Sequence, residues 1–304
     1  EAMFWGESEA MRRILRLVEK VAETDANVLI TGENGTGKEV MAREIHRRSL
    51  RRDELMVAVD MGALPESLFE SELFGHCKGA FTDAHTDRIG KFEIAQGGTL
   101  FLDEIGNLSY HLQAKLLSAI QSRTIVRVGS NRPVETDVRL ICATNQNLQA
   151  MVAQERFRRD LLYRINTIHI EIPPLRQRRE DIVPLARLFL EKYAAKYGKQ
   201  GIRIDEEACR KLQEYDWYGN IRELQHTVEK AVIICDSMTI GQESLLMTPQ
   251  QEEPNAGGVS TLEEMERNMI RQAIRLHESN MSAVAAQLGI TRQTLYNKIK
   301  KYGL

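Results

Sequence analysis

No apolar run in this chain approaches the roughly 20 residues that a bilayer-spanning helix needs, and the N-terminus carries no signal-peptide pattern. The expectation is a soluble, cytoplasmic protein with no membrane partner. Cysteine is scarce: Cys77, Cys142, Cys209 and Cys235 lie far apart and lack metal-ligand spacing, which argues for free thiols in a reducing compartment. An excess of charge of either sign is missing too. With 41 basic and 43 acidic residues the net charge is −2, so a nucleic-acid partner must be met by a local patch.

What is present is enough apolar content, 42% of 304 residues, for a large core and two or three domains. The most informative stretch is Gly32-Glu33-Asn34-Gly35-Thr36-Gly37-Lys38, placed between the apolar run Val28-Leu29-Ile30 and an amphipathic segment. That context predicts strand, tight loop and helix. Glycines let backbone N–H groups wrap a phosphate chain, the helix N-terminus adds positive dipole, and Lys38 reaches the terminal phosphates. Glu39 stands where a Ser or Thr usually helps hold magnesium, which shifts that task to acids elsewhere. Gly97-Gly98-Thr99-Leu100-Phe101-Leu102-Asp103-Glu104 supplies them, an apolar strand ending in two carboxylates. Asp103 is expected to hold Mg2+ through water, and Glu104 to orient or deprotonate the attacking water.

The pattern along the chain predicts an α/β fold with a mostly parallel sheet. Met11, Ile14, Leu15, Val18 and Val21 recur at helical spacing, and strand candidates at 56–60, 99–103, 138–143 and 168–170 alternate with helices such as 112–120. Pro173-Pro174 breaks this alternation, and residues 181–234 read as helices only, with Asp205 capping the segment from Glu206. The domains are expected at 1–172 (nucleotide-binding), 173–240 (helical lid), 241–260 (a Gln-, Glu-, Pro- and Gly-rich linker) and 261–304. In the last, Leu262, Met265, Met269, Ala273 and Leu276 form an apolar stripe suited to pairing two tails. Helix, turn and helix follow at 282–288, Gly289 and 291–301, with Thr291 as N-cap. From Met281 onward there are four basic residues and no acid. Arg292, Gln293, Thr294, Asn297 and Lys298 on the second helix suit a major groove, with Lys300 and Lys301 meeting phosphate of double-stranded DNA.

With these residues in place the chain resembles the bacterial enhancer-binding proteins, AAA+ ATPases that activate RNA polymerase carrying sigma-54. The resemblance runs from about Gly6 to Leu304. Glu72-Leu73-Phe74-Gly75-His76 leads into Gly79-Ala80-Phe81-Thr82-Asp83-Ala84, which resembles the loop that touches sigma factor. Ala143-Thr144-Asn145 resembles sensor I, the run from Phe157 to Leu161 with Arg164 resembles the arginine-finger segment, and Trp217 to Leu224 resembles the sensor II helix. The tail is similar to a Fis-type DNA-binding domain.

The resemblance implies an AAA+ P-loop NTPase using ATP and Mg2+, with Arg158 and Arg164 acting across a subunit boundary on the γ-phosphate. It implies that Arg222 senses nucleotide within its own subunit and that Asn145 relays hydrolysis toward the sheet. The implied partners are the sigma-54 RNA polymerase holoenzyme, enhancer DNA and further copies of the chain, from a dimer to a hexamer-like ring. Relatives often carry an N-terminal receiver domain, as in two-component systems. Three positions depart from the family pattern: Asp83 replaces a loop glycine, Asp60 replaces an Asn that restrains the Walker B glutamate, and Tyr218 replaces a proline. Two functions stay open: an ATP-driven activator that remodels the sigma-54 closed complex, and a DNA-binding regulator on an AAA+ scaffold that does not act through sigma-54.

Overall fold

A computed structural model describes residues 3–247, 266–267, 269–270, 274 and 281–302. Residues 1–247 and 248–304 form two separate compact units.

The first unit opens with helix α1 (Glu9–Ala22), which Ser8 caps by accepting the Met11 N–H. Strand β1 (Val28–Thr31) leads through the glycine loop into α2 (Lys38–Arg47). Then come β2 (Met56–Asp60), α3 (Glu66–Phe74), the short strands β3 (Gly75–His76) and β4 (Arg88–Ile89), and α4 (Lys91–Ile94). Strand β5 (Thr99–Asp103), α5 (Tyr110–Ser122), a hairpin of β6 (Thr124–Val126) and β7 (Pro133–Glu135), and β8 (Arg139–Thr144) follow. Helices α6 (Leu148–Ala153) and α7 (Arg159–Ile165) and strand β9 (Ile168–Glu171) complete the α/β part.

Five strands form one all-parallel sheet in the order β2-β5-β8-β1-β9. Successive side chains alternate between faces, and each face is apolar. Leu29, Leu100, Leu102, Leu140 and Cys142 pack with residues of α3, α5 and α7, while Ile30, Phe101, Ile141 and Ala143 pack with α1 and α2. Parallel strands buried on both sides read as continuous apolar runs, which is why the sequence places them within a residue or two. The hairpins β3–β4 and β6–β7 carry no such signal.

Buried polar groups tie the layers together. Arg139 donates to the carbonyls of Val21, Ala22 and Ala26, capping the C-terminus of α1. His46 lies between Thr99 Oγ1 (2.9 Å) and the Glu54 carbonyl (3.1 Å), so Nε2 carries the proton and Nδ1 accepts from the hydroxyl. Burial pushes its pKa below the ordinary value; the Glu54 carbonyl opposes this and Arg139 adds to it. The folded state therefore binds fewer protons than the unfolded chain, so stability is lost as pH falls below the usual histidine range. Between pH 7.5 and pH 5 the thermal midpoint is expected to drop further in the parent than in His46→Gln. Scanning calorimetry giving both proteins the same drop would contradict this account of His46.

The lid comprises α8 (Ile182–Lys196), β10 (Arg203–Ile204), α9 (Glu206–Glu214), α10 (Asn220–Ile234) and β11 (Thr239–Ile240). Asp205 caps α9 through the Ala208 N–H. The all-helical reading of 181–234 needs one correction: β10 lies within it and pairs in parallel with β11. Trp217 fills the lid core, its indole N–H donating to the Leu212 carbonyl at 2.7 Å. Leu245, expected in the linker, is 2% exposed within that same core. Linker residues 248–260 lie outside the described residues.

In the second unit the helices Met281–Gln287 and Arg292–Tyr302 meet at Gly289, whose φ is +66°. Thr291 Oγ1 accepts the Thr294 N–H at 3.2 Å, which makes it the N-cap. Ile270, Val284, Ala285 and Leu295 form the core. Of the expected stripe only Met269 is described, and it is exposed; Leu262, Met265, Ala273 and Leu276 lie outside the described residues.

Candidate functional site

The carboxyl ends of the central strands converge on one crevice, the position where open parallel sheets bind ligands. β1 delivers the glycine loop there, β5 delivers Asp103 and Glu104, and β8 delivers Asn145. Gly37 adopts φ +99° and turns directly into α2, putting Lys38 in the first helical position. Its ammonium donates to the carbonyls of Gly32 (3.0 Å) and Glu33 (3.2 Å) and lies 3.9 Å from Glu104 Oε1. Gly35, at φ +78°, is pressed so close to the lid that a Cβ there would meet the Gly219 carbonyl at 2.3 Å.

Glu104 holds a left-handed backbone at φ 53°, ψ 48°, uncommon for a residue with a side chain and often a mark of a functional position. The Asp103 carboxylate accepts the Glu104 N–H at 2.9 Å and helps fix that turn. Burial raises the pKa of both acids; Lys38 opposes the shift in each, and each feels further repulsion from Asp60. Burial likewise lowers the Lys38 pKa, against the pull of Glu104 and Asp103. A carboxylate brought closer to neutrality suits a general base. Asn145 links the two halves: its side-chain amide donates to Asn34 Oδ1 (3.1 Å), and its backbone N–H faces Glu104 Oε2 at 3.5 Å.

A phosphate chain fits this cradle, because glycines line the loop, a lysine stands at its end and a helix starts behind it. Among the described residues no group of three or more His, Cys, Asp or Glu is arranged to hold a metal. A magnesium ion at Asp103 would take its remaining ligands from phosphate and water, its usual habit. Glu39 does not turn inward: its carboxylate is paired with Arg43 one turn along α2.

Arg222 lies beside this loop, its Cβ 3.1 Å from where a Gly35 Cβ would stand. The two finger candidates do not join it. Arg158 is paired with Asp160 and lies over the Tyr110 ring at 5.4 Å. Arg164 lines a cavity of about 280 Å³ with Asp25, Asn27, Arg51 and Arg123. Asn27 directly precedes β1 whereas the glycine loop follows it, so Arg164 stands at the opposite edge of the sheet.

The loop 79–84 projects between β3 and β4. It is closed by Gly79 N–H to Ala84 O (2.8 Å) and by Ala84 N–H to Phe81 O (3.0 Å). Phe81 is 42% exposed, its ring centroid 5.0 Å from that of His76 in an edge-on arrangement, and Thr82 and Asp83 are exposed beside it. Asp83 is not among the residues with positive φ, so its Cβ introduces no backbone strain. Asp60 Oδ1 accepts the Gly62 N–H at 2.8 Å, which keeps that carboxylate occupied beside Glu104.

In the tail, Arg292, Gln293, Asn297, Lys300 and Lys301 are exposed and Thr294 is half-buried. Lys298 differs from the sequence reading: it is paired with Glu266, whose other oxygen accepts the Tyr302 hydroxyl, so part of the basic patch is already neutralised. Sequence reasoning also missed Arg176, Arg178 and Asn220, which hold the phosphate loop from the lid. The Leu175-Arg176-Gln177-Arg178 run beyond Pro173-Pro174 was the available signal.

Three family models match in succession. One described as Sigma-54 interaction domain covers residues 4–171, an AAA+ ATPase lid domain covers 176–261, and a bacterial regulatory protein of the Fis family covers 261–302. Transcriptional regulatory protein ZraR of Klebsiella oxytoca is 47% identical over 97% of this chain and 68% of the relative. Regulatory protein AtoC of Escherichia coli is 45% identical over 99% of this chain and 68% of its own length. Among solved structures, NtrX from Brucella abortus in complex with ATP is similar with a TM-score of 0.74 and 32% identity, covering 100% of this chain and 70% of that one.

Proposed function

This chain belongs to the family of sigma-54-dependent transcriptional activators with an AAA+ nucleotide domain and a Fis-type helix-turn-helix, and we propose that it hydrolyses ATP in a ring of its own copies to remodel the sigma-54 RNA polymerase closed complex. One observation carries the reading: Lys38, Glu104 and Asn145 meet at the phosphate loop, while Arg164 sits at the far edge of the sheet. A site with its base and lysine in place but its finger elsewhere is completed by a neighbour.

In this mechanism Lys38 and the loop N–H groups hold the β- and γ-phosphates. Magnesium at Asp103 would neutralise developing charge on the phosphate oxygens. Glu104 takes the proton of the attacking water, and Asn145 senses loss of the γ-phosphate because it touches both Glu104 and the loop. Arg158 and Arg164 of one protomer act on the nucleotide of the next. Asp60 lies on the strand beside Asp103, and the chain runs from it through α3 straight into the loop of Phe81, a short covalent route from chemistry to the exposed tip. The helix Arg292–Tyr302 tethers the ring to enhancer DNA through Arg292, Gln293 and Asn297, with Lys300 and Lys301 on phosphate.

Asp83 favours a second reading, a regulator that occupies DNA without engaging sigma-54, since it places a charge on the contacting loop. An open-complex assay with sigma-54 polymerase separates the two. Promoter opening is expected with ATP and not with a non-hydrolysable analogue; no opening under either nucleotide selects the second reading.

A further inference from the structure

Three consecutive carbonyls of the phosphate loop, those of residues 34 to 36, turn toward a single neighbour. Asn220 Nδ2 reaches the Asn34 carbonyl at 3.1 Å, the Ile221 N–H reaches the Gly35 carbonyl at 2.9 Å, and Arg178 Nη2 reaches the Thr36 carbonyl at 3.4 Å. All three donors belong to the lid side of the crevice. The loop's one charged side chain before Lys38 is taken by the same side: Arg176 grips the Glu33 carboxylate with two bonds of 2.5 and 2.8 Å, and Asn220 adds a third at 3.1 Å. These holders are themselves held. Asn220 is fully buried at φ +53° and accepts the Leu175 N–H at 2.8 Å, and the Arg176 guanidinium lies over the Tyr218 ring at 5.6 Å.

In a planar trans peptide the carbonyl and the following N–H point in opposite directions. Drawing carbonyls 34 to 36 toward the lid therefore turns the N–H groups of residues 35 to 37 away from it, into the loop's interior. The Thr36 N–H already lies there, 3.4 Å from the Glu33 carbonyl. Inward N–H groups are what binds a phosphate chain. Glu33 would repel the same phosphates if left bare, and Arg176 holds its pKa down while neutralising it.

We propose that Arg176, seated on Tyr218, and Asn220 are positioning residues that shape the phosphate loop through Glu33, so that lid placement and affinity for nucleoside di- and triphosphates form one linked equilibrium. Linkage works both ways: phosphate binding pulls the lid onto the loop as strongly as the lid favours phosphate. The clamp rests on the nucleotide-binding reading of that loop, and it gives the tyrosine at 218 a task beyond closing a turn.

The test is a double-mutant cycle on the full chain with two readouts, the dissociation constant of a fluorescent ATP analogue and amide exchange of the 32–38 segment without nucleotide. Arg176→Gln is expected to weaken the analogue by about tenfold, the scale of one charge-assisted contact, and to speed exchange in the loop. Adding Glu33→Gln removes the uncovered carboxylate and should restore binding to within about threefold of the parent, a non-additivity that simple loss of packing would not produce. Unchanged binding in Arg176→Gln, or a double variant weaker than either single one, overturns the clamp. A parent chain that binds no analogue overturns the nucleotide reading and the linkage with it, so the two failures are told apart by the parent alone.

Discussion

Replacing Glu104 with Gln is expected to lower kcat for the proposed ATP hydrolysis by about a thousandfold, the range for removing a positioned general base, and to leave nucleotide affinity equal or tighter. The amide has the same shape, so it keeps the contact with the Asn145 N–H and disturbs neither the left-handed turn nor the Asp103 bond to its backbone. What it loses is the proton-accepting charge. It also loses repulsion: the carboxylate 3.9 Å from Lys38 partly cancels the ammonium that phosphates need. In the parent, burial raises the Glu104 pKa, so the acid limb of kcat should fall at a higher pH than for an ordinary carboxylate, because the protonated acid cannot take a proton. Phosphate release paired with analogue titration reads both effects. Hydrolysis within tenfold of the parent rate would remove Glu104 from the water-activating role.

The second large effect is cooperative between protomers. Arg158→Ala and Arg164→Ala are each expected to cut hydrolysis by about a thousandfold, the lower end for an arginine finger, with analogue affinity little changed. Mixing either with Lys38→Ala should recover activity, since an interface formed by the loop of a finger variant and the fingers of a Lys38 variant has both parts intact. In a random equal mixture roughly one interface in four has that arrangement, which sets the ceiling of rescue in a symmetric ring. The two arginines start from different places. Arg164 is presented from the far edge of the sheet, whereas Arg158 must exchange Asp160 for a phosphate. That ion pair is exposed and weak enough to exchange. Mixtures no more active than the sum of their parts would place catalysis within one chain.

The sheet and the crevice were legible because they are local in sequence. Runs such as Val28-Leu29-Ile30 and Leu100-Phe101-Leu102 announce doubly covered strands, and the glycines and acids at their ends mark the edge where chemistry sits. Two-residue strands such as β3 and β10 are too short for any periodicity to register. Pairings across long separations were equally hidden: Arg176 meets Glu33 across 143 residues and Asn220 meets it across 187. The same blindness made Lys298 look free, because its partner Glu266 lies on another segment. Nor does the replacement of a loop glycine by Asp83 tell from sequence that the backbone there avoids positive φ. Tyr218, noted in the sequence only as a replacement for proline, supplies the ring beneath Arg176.

The reach of Asn220 back to Glu33 also dictates an order of events at the ribosome. β1 has both of its sheet neighbours only when β8 and β9 have been made, and the loop after it acquires its last braces when residues 220 and 221 emerge. Domains fold from the N-terminus as they are synthesised, yet here a segment at residues 32–38 waits for contacts made as many as 187 residues later. The glycine loop thus gains its full set of described contacts only once residue 221 has been made.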